Sequence, residues 1–117
     1  MAMPVIGAAQ QYPAKPVRVV IPVAPGGGVD IVARFVGAKL SDDLKQQFVA
    51  DNRAGAAGII GTDIVAKSAT DGYTLLAQNS AITYMPSLYA KLPFDVLRDF
   101  QGVSLLAATP SVLVLHP

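Results

Sequence analysis

A mostly parallel α/β fold with flanking helices is what this sequence predicts, and three observations predict it. Short β-branched or apolar runs (VRVVIPV, FVA and YTLLA) alternate with stretches whose apolar residues recur every three or four positions. The first run is apolar almost without a break, as a strand buried on both faces requires. It passes through a glycine-rich turn, APGGGVD, straight into a helical stretch, the pattern of a right-handed β-α-β crossover.

Residues 17–23 are the first predicted strand. Pro16 and Pro22 stand near its ends, where a missing N–H is tolerated. Residues 29–40 are the first helix. Val29, Val32, Ala33, Val36 and Leu40 make one apolar stripe that can continue to Leu44. Asp30 and Arg34 form an i,i+4 pair on another face. Phe48, Val49 and Ala50 are a short second strand, and NRAGAAG, residues 52–58, is a turn-rich connection. Residues 59–67 are a second helix, with Ile60, Ile64 and Val65 on one side and Asp63 and Lys67 paired. The Asp71-Gly72 turn ends that unit, and residues 73–77 are the third strand. Asn79 and Ser80 are capping-type residues ahead of a third helix at 82–90, which Pro86 is expected to bend or interrupt. After a loop at 92–100, two more strands are expected at 103–107 and 111–116, separated by Thr109-Pro110.

Composition narrows the function. The 117 residues suffice for one small domain. They are 52% apolar and 15% charged, which argues for a packed core rather than disorder. The net charge is +1 and no Lys or Arg run occurs, so a nucleic-acid partner is not expected. There is no Cys and a single His, His116, so thiol catalysis, a multi-His metal site and a His-dependent triad cannot be built from this chain. No metal and no cofactor are expected. No apolar run reaches the length of a membrane span. MAMPVIGAAQQ, at residues 1–11, reads as an N-terminal extension or the remnant of a signal peptide.

The glycine loop carries the sharpest chemistry. A loop leaving a buried strand and opening a helix is where α/β proteins bind ligands. The N–H groups of Gly27, Gly28 and Val29 have no intrahelical partner there and, with the helix dipole, make an anion site. A phosphate loop needs Lys and Ser/Thr after its last glycine, and neither is present. In a dinucleotide fingerprint, Ile31 would stand at the last glycine. A small carboxylate is the better guest; the competing reading is a tight turn with no ligand. Asp30 either stabilises the helix start with Arg34 or receives a ligand ammonium. Gln78, Asn79 and Ser80 follow the third strand, where they either cap the next helix or hydrogen-bond a carboxylate directly or through water. GAAGIIG, residues 55–61, reads mainly as close packing at a helix start. Asp42-Asp43 reads as a solvated face, and Tyr84, Met85, Leu88 and Tyr89 as core or rim. No nucleophile and base stand at a catalytic spacing.

Four blocks in order carry a resemblance: YPAKPVRVVIPVAPGGGVDIVAR, DNRAGAAGIIGTDIVAKSATDGYTLL, PSLYAKLPFDVLRDFQGVSLLA and SVLVLHP. Together they resemble the solute receptors of tripartite tricarboxylate transporters, the Bug (Bordetella uptake gene) family, over about residues 12–117. The resemblance implies a periplasmic, non-enzymatic, two-lobed receptor of the periplasmic-binding-protein type II-like (Venus flytrap) fold. Such a receptor closes on a small carboxylate (a dicarboxylate, tricarboxylate or acidic amino acid) and delivers it to membrane permease subunits. Carried over, the ligand loops are Pro25, Gly26, Gly27, Gly28, Val29 and Asp30, then Gln78, Asn79, Ser80 and Ala81. Departures are Ala24, Val29 where a small hydroxyl residue is common, Lys45 for a usual Gly, Ala54 for a usual Pro, and Ile59. The resemblance also implies that residues 12–109 are the N-terminal part of a first lobe. Residues 110–117 are then a strand leading toward a second lobe. A chain of this length is expected to be a truncated piece that binds weakly and self-associates. The alternatives are a piece of an α/β enzyme taking a phosphorylated substrate at the loop, or an oligomerisation module without ligand.

Overall fold

The computed structural model describes residues 11–116, so the expected N-terminal extension lies, apart from Gln11, outside the described residues. The order of elements is β1 (Val17–Ile21), α1 (Gly28–Leu44), β2 (Phe48–Asn52), a 3₁₀ turn (Ala56–Gly58), α2 (Ile59–Ala66), β3 (Thr74–Leu76) and α3 (Ala81–Leu88). The strands form one parallel sheet in the order β2-β1-β3. β1 takes the centre because its run can be buried on both faces: Val17, Val20 and Ile21 are wholly inaccessible. Its register sets Val17 beside Phe48 and Ile21 beside Asn52 on one side, and Arg18 beside Thr74 on the other.

The crossover through α1 runs from β1 to β2, and the one through α2 runs back over β1 to β3. Right-handed connections in opposite directions place the two helices on opposite faces of the sheet. Alternation along β1 then assigns the faces. Val19, Ile21 and Val23 pack with Val29 and Ala33 of α1, joined by Ala50 and Ala77. Pro22 faces α2, where Gly61 comes so close that an added Cβ would lie 2.7 Å from the Pro22 Cβ and 2.7 Å from the Arg53 carbonyl oxygen. Close packing is thus the role of the second glycine cluster. Gly58 caps α2 in the left-handed region at φ 92°, which a side chain disfavours, and an added Cβ would lie 3.1 Å from Gln78 Nε2 and 3.4 Å from the Pro22 carbonyl oxygen.

Most boundaries differ by a few residues from the sequence reading. β2 extends to Asn52, β3 shrinks to three residues, and α3 contains Pro86 and ends at Leu88. The two strands expected at 103–107 and 111–116 are not formed: none of residues 101–116 belongs to a helix or strand. A strand needs a neighbour to receive its N–H and C=O groups, and β3 pairs only with β1. Most apolar side chains of that segment are left exposed; Leu105 is 82% exposed and Leu113 is 89% exposed.

Candidate ligand site

The glycine loop leaves the carboxyl end of β1 and starts α1. Gly26 adopts φ 88°, a left-handed value that side chains disfavour. Gly27 is the N-cap residue, with extended backbone and no side chain to cap the helix. The first intrahelical bond runs from the Ile31 N–H to the Gly27 carbonyl at 3.0 Å. Among the described residues, no hydrogen bond is made by the N–H groups of Gly27, Gly28 or Val29. Unpartnered donors at the positive end of a helix dipole suit an anion.

Asp30 lies in the first turn of α1 but is only 3% exposed. One carboxylate oxygen accepts the Gly26 N–H at 2.9 Å. The other accepts from Arg34 Nε at 2.9 Å and from Asn52 Nδ2 at 2.9 Å. These bonds, that of Gly26 first and then those of Arg34 and Asn52, hold the carboxyl well below its ordinary range, at a pKa of about 2. Asn52 was not singled out in the sequence, where it reads only as the start of a turn. It is the last residue of β2, on the face toward α1, and also donates to the Val23 carbonyl at 3.1 Å.

The loop after β3 is arranged by its own amides. Gln78 accepts the Asn79 N–H at 3.0 Å, and Asn79 accepts the Ala81 N–H at 3.0 Å. Asn79 therefore serves the start of α3, while Ser80 takes the N-cap position without a side-chain cap bond.

The two loops meet at a cleft of about 450 Å³, a volume in the range of small-molecule sites. Gly28 and Val29 line it from the glycine loop, and Gln78 and Asn79 from the β3 loop. Of the other carried-over residues, Pro25, Gly26, Gly27, Asp30, Ser80 and Ala81 do not line it. Val32, Leu76 and Ala77 form its apolar floor. Its remaining wall comes from Ser104, Leu105, Leu106, Ala107 and Thr109, in the stretch that sequence periodicity assigned to a strand and its following turn. No charged side chain lines the cleft. Among the described residues, no group of three or more His, Cys, Asp or Glu is placed to hold a metal ion, and no helix is long and apolar enough to cross a membrane.

The geometry is that of an α/β lobe with a cleft at the carboxyl ends of its parallel strands, lined by Gly28 and Val29 from a helix start and by Gln78 and Asn79 from the loop after β3. Comparison with known proteins then gives the family. Residues 32–117 match the tripartite tricarboxylate transporter family receptor, and the chain belongs to that family. It is 46% identical over 111 residues to Protein BugT of Bordetella pertussis, an alignment covering 93% of this chain and 34% of that protein. It superposes on the periplasmic binding protein BugD with a TM-score of 0.72 at 37% identity, over 76% of this chain and 30% of that one. It also superposes on malate-bound MatC of Rhodopseudomonas palustris with a TM-score of 0.69 at 35% identity, over 81% of this chain and 33% of that one. The chain thus spans about a third of the length of the relatives it matches. The family is one of receptors and not of enzymes.

Proposed function

We propose that this chain carries the anion-gripping half of a periplasmic solute receptor, which takes a small carboxylate and passes it to membrane permease subunits. Residues 25–30 and 78–81 furnish the grip. Gly28 and Val29 supply main-chain N–H donors, and Gln78 and Asn79 supply amide contacts, direct or through water. Pro25, Gly26, Gly27, Asp30, Ser80 and Ala81 shape the two loops. The observation that carries this reading is the shared cleft of two loops about fifty positions apart in sequence, one of them with unpartnered N–H groups at a helix start. The bound malate of MatC supports a carboxylate as the guest class. A lobe-closing receptor encloses its ligand from two sides.

Substituting Gly28 by Pro gives the direct test. Gly28 is the first helical residue, where a proline fits the helix and merely deletes an N–H. An added Cβ there meets nothing within 4 Å. Titration with malate followed by calorimetry and amide chemical shifts should show binding by the parent. Gly28→Pro should weaken it about tenfold or more, as loss of a hydrogen bond to a charged group requires. Equal malate affinity in parent and variant, or a loop that answers inorganic phosphate and not malate, would refute the assignment.

A further inference from the structure

We infer that Asp30 and Asn52 are positioning residues: they form an internal latch that sets the glycine loop so that the N–H groups of Gly28 and Val29 meet the cleft. The inference rests on the reading of that cleft as a carboxylate site. The exit of β1, the glycine loop, the first turns of α1 and the end of β2 are tied by these two side chains. Asp30 reaches back from α1 to the Gly26 N–H at 2.9 Å. Asn52 reaches from the end of β2 to the Asp30 carboxylate at 2.9 Å and to the Val23 carbonyl at 3.1 Å. Both of those partners are acceptors, so both amide hydrogens of Asn52 are used. Its amide oxygen accepts Arg34 Nη2 at 2.7 Å.

Two other roles for Asp30 fit less well. A carboxylate that merely favours the helix dipole works from the surface and needs neither near-complete burial nor a strand partner. A carboxylate that receives a ligand ammonium needs a free oxygen facing the ligand. Both Asp30 oxygens are engaged, and the residue does not line the cleft. The loop already holds one carboxylate, its own, on the Gly26 N–H, and the next donors along the chain are left for an incoming one. A buried negative charge beneath an anion site would repel the guest. Arg34, bonded to the same oxygen as Asn52 at 2.9 Å, neutralises it and leaves the positive helix end to act on the ligand. The latch also supplies what the loop itself lacks. Gly26, Gly27 and Gly28 run consecutively, and around Gly26 and Gly28 the space is open, so side-chain packing does not hold that backbone in place.

Amide hydrogen exchange by NMR on the full chain tests this. In the parent, the Gly26 amide should be protected while those of Gly28 and Val29 exchange freely. Asp30→Asn and Asn52→Ala should each lower Gly26 protection about tenfold or more, with the β1 amides still protected. Each should also weaken the malate response of Gly28 and Val29 by a similar factor. An unprotected Gly26 amide in the parent overturns the latch. Loss of Gly26 protection with malate affinity unchanged overturns the positioning role. If the variants do not fold, the parent alone decides: its Gly26 proton must shift upfield as Asp30 protonates around pH 2, and a flat titration through that range overturns the bond. A parent with protected Gly26 and no malate response sinks the carboxylate reading instead, so the two failures are distinct.

Discussion

Asp30 shows what spacing can and cannot reveal. Its i,i+4 pairing with Arg34 was legible, because helix geometry alone puts those side chains together. Its bond to Asn52 was not, because that contact depends on the register of β2 against β1, which no local pattern encodes. The carboxyl falls from 3.8 to about 2 on folding. A depressed carboxyl contributes stability that is fully present above its unfolded value and lost as pH falls through the folded one. Urea unfolding should therefore show the parent losing stability between pH 3.8 and about 2, with a shallower loss in Asp30→Asn. Parallel curves would contradict this. Lys45 is a second case. It ends α1 in the left-handed region at φ 56° and ψ 26°, where the family resemblance places glycine. Lys45→Gly should stabilise by about 0.5–1 kcal/mol, the relief of left-handed strain less the extra freedom of glycine in the unfolded chain. A higher Tm in a thermal scan checks it.

Elements were legible where one strand or helix buries its own pattern. The VRVVIPV run declared the central strand, and the valine stripe declared α1, because burial on the sheet and the sequence period agree. Residues 103–116 were misread for the opposite reason. A β-branched apolar run shows that a segment is able to pair, but not that it does: the outer edge of β3 stays unpaired while residues 101–116 lie in no strand. The second glycine cluster is an element-scale constraint as well. An alanine at Gly61 would set its Cβ 2.7 Å from a backbone carbonyl of the β2 exit and 3.0 Å from the Pro22 Cα. Backbone on both sides cannot step aside, so Gly61→Ala should cost about 1–3 kcal/mol by urea unfolding. Gly28→Ala, with open space around it, serves as the control and should be neutral or slightly stabilising.

For the molecule as a whole, the C-terminal stretch carries a run of exposed apolar side chains. Val112, Leu113, Val114 and Leu115 are all largely exposed, as are Val103 and Leu105. Contiguous apolar surface of this kind favours association, and the open edge of β3 offers a strand to pair with. Static light scattering should find a mass that rises with concentration, and Leu113→Asp combined with Leu105→Asp should lower it. A concentration-independent monomer would count against this. The grip proposed for the cleft has a different consequence. Its donors at Gly28 and Val29 belong to the main chain, so nineteen of the twenty residue types leave them in place and proline alone erases them. The walls, Leu76, Leu105 and Leu106 among them, are ordinary side chains. Substitution of those leucines can therefore change what fits beside the anion while the Gly28 and Val29 donors stay in place. A scaffold so divided can diversify its cargo at the walls while the main-chain part of its proposed grasp is inherited.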